Sequence, residues 1–157
     1  MDVGQFRLHV LRPTLKGLGL YSVEAEQLLL GTIAQESNFQ YIDQITQNAE
    51  VLGPACGLYQ MERATHDDIW KNYINHRPQL RAKVDRYANL LPKWEQMAGN
   101  LYYATAMARV FYLRFPAAIP TTLDGQAEYY KRYWNTHLGK ATPGQYRLNY
   151  KRFVEGK

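Results

Sequence analysis

Apolar positions along the chain recur mostly every three or four residues, the spacing that lines one face of an α-helix. Residues 5–17 put Phe6, Val10 and Leu11 on one side, with Pro13 interrupting the run and Gly17 and Gly19 stopping it. Ser22 is placed to cap a second helix, and Glu24 and Glu26 suit its positive first turn. Val23, Leu29, Leu30, Ile33 and Ala34 supply its apolar side, and it runs out near Glu36. Thr65 is expected to cap a third helix, with Asp67 and Asp68 in the first turn and Ile69, Trp70, Tyr73 and Ile74 following. Pro78 opens a helix through about Asn89, and Pro92 marks the next break. A long Ala- and Tyr-rich segment runs from about Trp94 to Phe115, where Pro116 ends it. Asp124 can cap a helix to about His137, stopped by Gly139. Thr142-Pro143, a cap followed by proline at the first helical position, starts the last helix, with Tyr146, Tyr150 and Phe153 inward. About seven helices result, so the expected fold is mostly α.

Residues 37–60 lose this periodicity and contain Gly53, Pro54 and Gly57. They are expected to form a long loop or short irregular strands. A stretch of that length inside a compact domain is usually functional.

Composition narrows the class. The 157 residues suit one domain, 1–157, and 46% hydrophobic with 21% charged residues is close to the globular average. A disordered, fibrous or collagen-like chain is excluded. No apolar run approaches the roughly 18 residues of a membrane-spanning helix, so no membrane insertion is expected. The single Cys56 excludes an internal disulfide and a CxxC zinc site. Met1 to Leu20 has no apolar core of the secretory kind, so a target outside the cytoplasm implies another delivery route.

The net charge of +5 favours an anionic partner only weakly, because Arg and Lys are scattered as on an ordinary solvated surface. No Gly-rich phosphate loop and no stripe of basic and aromatic residues is present, so no specific nucleic acid is expected. His66 beside Asp67 and Asp68 fits a charged first helical turn better than a metal site. His9, His76 and His137 have no partner at ligand spacing. Neither a metal nor another cofactor is expected.

The candidate chemistry lies in Gly31-Thr-Ile-Ala-Gln-Glu-Ser-Asn-Phe39, then Gly53-Pro-Ala-Cys-Gly-Leu-Tyr-Gln60, then Thr65. An apolar helix ends in a carboxyl group, and a Gly-containing loop returns with an amide. The negative end of the helix dipole disfavours a further negative charge at Glu36, and Ile33 and Phe39 would desolvate it. Both effects raise a carboxyl pKa. A carboxylic acid that stays protonated near neutrality can donate to a leaving oxygen. A solvated helix-terminal glutamate is the plainer alternative.

Glu36-Ser37-x-Phe39 resembles the catalytic Glu-Ser motif of soluble lytic transglycosylases and the related goose-type lysozymes. Gly57-Leu58-Tyr59-Gln60 resembles their Gly-Leu-Met-Gln motif, with Thr65 five residues on. Tyr112-Leu113 is similar to the family's Tyr-Leu pair behind the cleft, and Trp134-Asn135, with Gly139 beyond, to its Tyr-Asn motif. The likeness covers about residues 22–140. Tyr59 stands where the family has Met, the serine usual before the second motif is absent from Glu50-Val51-Leu52-Gly53, and Tyr129, Tyr130 and Tyr133 crowd around Trp134. The general character also resembles bacteriophage-encoded proteins of this kind.

The resemblance implies a lysozyme-like domain with a cleft, in which Glu36 is the catalytic acid acting on the glycan strand of peptidoglycan. Glu36 would protonate the oxygen between N-acetylmuramic acid and N-acetylglucosamine, then take a proton from the muramoyl 6-hydroxyl or from water. The first outcome is a lytic transglycosylase and the second a hydrolytic muramidase, in which Asp43 or Glu50 could assist. Ser37, Tyr59, Gln60, Tyr112, Trp134 and Asn135 are the implied substrate-binding residues. Ser37 could instead bond backbone at a helix end, Gln60 could be a structural loop amide, and Tyr59 and Tyr112 could be core. A phage origin implies a virion-associated protein, with other virion proteins as partners, or one delivered to the periplasm and cell wall. A non-catalytic virion assembly module with the same fold is the rival from another class.

Overall fold

The structure, a computed structural model, describes residues 1–40, 42–43, 48, 50, 53–90 and 93–157. It is mostly α. Helix α1 (Val3–Phe6) passes through a π-helical stretch, Arg7–Leu11, directly into α2 (Arg12–Leu18). Pro13 therefore does not interrupt the helix as its ring would suggest. It sits in the first turn of α2, and the wider π turn before it accommodates the missing N–H.

Helix α3 (Val23–Glu36) starts where Ser22 accepts a hydrogen bond from the Ala25 N–H at 3.0 Å. It is the central helix: Ala25 to Ala34 are buried except Gln27, and it packs against α7, α8, α9 and the C-terminal π turn named below. Glu26 is only 5% exposed and is held by Arg12 at 2.6 Å and Arg7 at 3.3 Å. This cluster ties the N-terminal helix to α3, so Glu26 does more than complement the helix dipole.

Of the loop region, the described residues form a two-stranded antiparallel hairpin, β1 (Ala55–Cys56) with β2 (Met61–Glu62), in register Cys56 to Met61. Gly57 has φ +79°, and any Cβ there would collide with the Met97 carbonyl, so the turn needs glycine. Trp94 anchors the hairpin by donating its indole N–H to the Met61 carbonyl at 2.8 Å. The absent loop serine, a matter of residues 50–53, falls partly outside the described residues.

Helix α4 (Arg63–Asn72) begins three residues before the position expected from a Thr65 cap. Its cap is Glu62, whose side chain makes no capping bond, and Thr65 lies inside the first turn. Helix α5 (Pro78–Asp85) opens at Pro78 as expected and stops earlier than Asn89; Pro92 lies outside the described residues. The long segment from Trp94 divides at Asn100 into α6 (Gln96–Gly99) and α7 (Leu101–Leu113). Asn100 caps α7 by accepting from the Tyr103 N–H at 3.0 Å and donates to the Tyr87 carbonyl at 2.7 Å.

Helix α8 (Leu123–Tyr130) is capped by Thr122 rather than Asp124, and a π turn, Lys131–Asn135, continues it. Helix α9 (Pro143–Asn149) has the expected Thr142 cap, completed by Gln145 into a capping box, and runs into a π turn at Tyr150–Glu155. Tyr146 is fully buried; its hydroxyl lies over Gly31 and donates to the Leu28 carbonyl at 3.2 Å. Only glycine at position 31 allows α9 to come this close to α3.

No helix among the described residues is long and apolar enough to cross a membrane.

Candidate active site

Glu36 is the last residue of α3. Beyond it Asn38 and Phe39 adopt positive φ of 53° and 58°, so the chain turns sharply away and leaves the carboxyl group at the helix end. Ser37 is 1% exposed, and its hydroxyl donates to the Leu58 carbonyl at 2.7 Å. That bond joins the end of α3 to the hairpin turn. Both motifs of the sequence thus meet at one edge of a cavity of about 430 Å³, whose wall includes Glu36, Gln60, Glu62, Thr65, Trp134 and Asn135.

The Glu36 carboxyl group is pushed up to about 7, chiefly by burial. Hydrogen bonds from the Tyr130 hydroxyl and then the Trp134 indole oppose the rise by favouring the charged form. The Tyr130 hydroxyl donates to Glu36 Oε1 at 2.6 Å. Burial, followed by the nearby Glu36 charge, raises the Tyr130 pKa, so the phenol remains a donor. A carboxyl group at about 7 is divided between its two forms at neutral pH, which suits it to give a proton and later take one. Phe39, expected to desolvate it, packs instead edge-on to Phe6 with ring centroids 6.1 Å apart.

Gln60 lies in the turn with φ 48°; its side-chain N–H donates back to the Gly57 carbonyl at 2.8 Å. Its Oε1 has no hydrogen-bond partner among the described residues. Trp134 is half-buried and packs on Phe111 with centroids 4.5 Å apart and on Tyr112 at 5.3 Å. Asn135 accepts from Lys131 Nζ at 2.6 Å, and the same ammonium donates to the Gly139 carbonyl at 2.9 Å. The Lys131 clamp holds the chain as it leaves the π turn. Gln60, Trp134 and Asn135 line the cavity together with Glu36.

Three implied binding residues do not reach it. Ser37 is consumed by its backbone bond to Leu58. Tyr59 is fully buried, its hydroxyl 3.2 Å from Thr105 Oγ1. Tyr112 is 1% exposed, its hydroxyl 2.9 Å from Thr32 Oγ1 in the core between α3 and α7. The last two are core tyrosines with satisfied hydroxyls. Asp43 accepts from the Gly53 N–H at 2.8 Å, Glu50 is exposed, and neither lines the cavity.

Glu62 was not singled out from the sequence, and Tyr130 only as one of three tyrosines crowding around Trp134. Tyr130 stands four residues before Trp134, the helical spacing that puts both over one face, and that was the available signal. Glu62 is the second carboxylate of the cavity wall and lies just beyond Gln60. Its side chain carries no hydrogen bond or ion pair among the described residues. His66 is buried, its ring nitrogens 2.8 Å from Asp67 and 2.6 Å from the Tyr103 hydroxyl. The described residues contain no cluster of three or more metal-ligating side chains.

No protein-family model matches the chain, and no match was found among curated proteins or solved structures.

Proposed function

We propose that this protein cleaves the glycan strand of peptidoglycan at the bond between N-acetylmuramic acid and N-acetylglucosamine, with Glu36 as the proton donor. The observation that carries this reading is Glu36 itself: a carboxyl group raised to about 7 at the wall of an open cavity, with a tyrosine hydroxyl held at 2.6 Å. Protonated Glu36 delivers its proton to the glycosidic oxygen as the C1–O bond breaks. The resulting carboxylate then takes a proton from the attacking hydroxyl. Tyr130 and Trp134 stabilise that carboxylate while it exists. Gln60 Oε1 and Asn135 are placed to meet amide or hydroxyl groups of the sugar.

In the leading form the attacker is the muramoyl 6-hydroxyl, which makes the protein a lytic transglycosylase leaving 1,6-anhydro ends. One acid performs both proton transfers, a role supported by Glu36, a cavity carboxyl group whose pKa burial raises to about 7. The hydrolytic form is favoured by a different observation: Glu62 shares the cavity wall, and its carboxylate has no hydrogen-bond or ion-pair partner among the described residues. Paired carboxylates are the usual equipment for activating water against a glycosidic bond. Delivery to the cell wall as a bacteriophage virion component fits this activity.

Mass spectrometry of digested peptidoglycan tests the reading, since anhydro and reducing ends differ by one water. Muropeptides with 1,6-anhydro ends are the expected result. Reducing ends whose release is lost in Glu62→Gln would establish the hydrolytic form. No release from the wild type, with glycan still bound, would replace the enzyme by a non-catalytic virion module.

A further inference from the structure

Just beyond Asn135 the backbone is strained. Thr136 follows the π turn Lys131–Asn135 with φ 63° and ψ 178°, a region that a residue with a Cβ adopts only when its surroundings impose it. Lys131 supplies the constraint. Its Nζ donates to Asn135 Oδ1 at 2.6 Å and to the Gly139 carbonyl at 2.9 Å, which draws residues 135–139 into a tight loop. Gly139 leaves room for this, since a Cβ there would run into the Asn135 amide. The Lys131 ammonium pairs with no carboxylate among the described residues. The neighbouring cation, Arg132, lies over the Tyr133 ring instead, 5.2 Å from its centroid.

With its oxygen held in this way, Asn135 directs its amide N–H to the Tyr130 hydroxyl. That hydroxyl donates to Glu36 Oε1 at 2.6 Å. Lys131, Asn135, Tyr130 and Glu36 thus form a chain of hydrogen bonds that all point the same way, and in such a chain each donor strengthens the next. We infer that Lys131 is a positioning residue for Glu36: through Asn135 and Tyr130 it aims the hydrogen bond at the carboxyl group and brings a positive charge to bear on the carboxylate left after proton delivery. The inference rests on Glu36 as the acid of the proposed cleavage and specifies how that acid is tuned.

Among the described residues, the other groups that face Glu36 supply no positive charge. Tyr130 and, from α7, Tyr112 stay uncharged because burial raises both phenols. Tyr146 from α9, packed against Tyr130 with centroids 5.0 Å apart, is raised in the same way. The Trp134 indole donates without a charge. Glu62, on the same cavity wall, is an acid and works against a second negative charge.

The test follows the Glu36 carboxyl carbon by NMR in protein labelled with carbon-13 glutamate, its resonance being the one missing from Glu36→Gln. Lys131→Gln keeps a hydrogen-bond donor and removes the charge. Its Glu36 titration should lie higher in pH than that of the wild type by roughly 0.5–1, the effect of one nearby charge in a partly wet site. Turnover of soluble glycan oligomers should fall roughly tenfold, a part of the roughly 10²–10⁴-fold that such an acid contributes. Lys131→Arg keeps the charge and should titrate with the wild type. In Tyr130→Phe the chain is cut, so adding Lys131→Gln there should move the titration much less than it does alone. Thermal unfolding verifies that each variant folds. An unmoved titration in Lys131→Gln leaves Lys131 a loop clamp and overturns the inference. An equal move in Lys131→Arg overturns it too, by making loop geometry and not charge the agent. So does an undiminished move in the Tyr130→Phe background, which would take Tyr130 out of the path. The inference and the cleavage reading fail separately, because the NMR titration needs no turnover. A moved titration with no product from the wild type keeps the role of Lys131 and sinks cleavage. Product release with an unmoved titration does the reverse.

Discussion

The Tyr130 hydroxyl donates a 2.6 Å hydrogen bond to Glu36 Oε1 across 94 residues of sequence. It joins the end of the central helix to the end of α8, and it opposes the burial that raises the Glu36 pKa. Tyr130→Phe keeps the ring and removes this bond. The Glu36 pKa should then rise beyond about 7. The alkaline limb of the activity profile, measured on soluble glycan oligomers at constant salt, should move to higher pH, and the rate at the optimum should fall. An unmoved limb would dissociate Tyr130 from the acid.

Wild-type activity should persist at mildly acidic pH and decline as pH rises through about 7, where Glu36 loses its proton. Soluble oligomers are needed because binding of a basic protein to an anionic wall varies with pH and salt on its own account. Activity that stays level well into the alkaline range would contradict Glu36 as the acid.

Glu36→Gln keeps the shape and can still accept from Tyr130, but it cannot cycle a proton. Turnover should drop by roughly 10²–10⁴-fold. Retention of more than half the activity would remove Glu36 from the mechanism.

The same substitution should stabilise the fold at alkaline pH. The folded pKa of about 7 lies above the ordinary value of 4.5, so the native state binds the proton more tightly than the unfolded chain. Wild-type stability therefore declines as pH rises from about 4.5 through about 7, by up to about 3 kcal/mol, and levels off above. Glu36→Gln lacks this decline. Urea unfolding at pH 4 and pH 8 should show the variant gaining on the wild type only at pH 8.

Tyr59→Phe should affect stability and leave glycan binding alone. It strands the buried Thr105 hydroxyl, 3.2 Å from the lost oxygen, at about 1–3 kcal/mol. Thermal unfolding together with oligomer titration separates the two effects. A fall in affinity without a fall in melting temperature would return Tyr59 to the cleft.

Local signals decided the helices. The Ser22 and Thr142 caps, Pro78, and the three- and four-residue spacing of apolar side chains act over one or two turns, and each element they mark is present. The ends shifted where a tertiary partner competes. Asn100 divides the long Tyr-rich segment because its side chain bonds both the Tyr103 N–H and the Tyr87 carbonyl. The place of Glu36 at the end of an apolar helix is carried by the chain's pattern, whereas its raised pKa comes from burial, which the packing around it supplies. What the chain could not carry was which tyrosine faces which partner. Tyr59, Tyr112, Tyr130 and Tyr133 all sit at helix- or turn-compatible positions with the same chemistry. Tyr59 and Tyr112 are core because Thr105 and Thr32 lie opposite them, Tyr130 meets Glu36, and Tyr133 stacks on Phe115. Likewise Glu62, adjacent to Gln60 in the chain, became a cavity residue only when the hairpin was fastened to α3 by Ser37. Side-chain partners separated by tens of residues depend on how the helices pack, and that packing is a property of the whole fold.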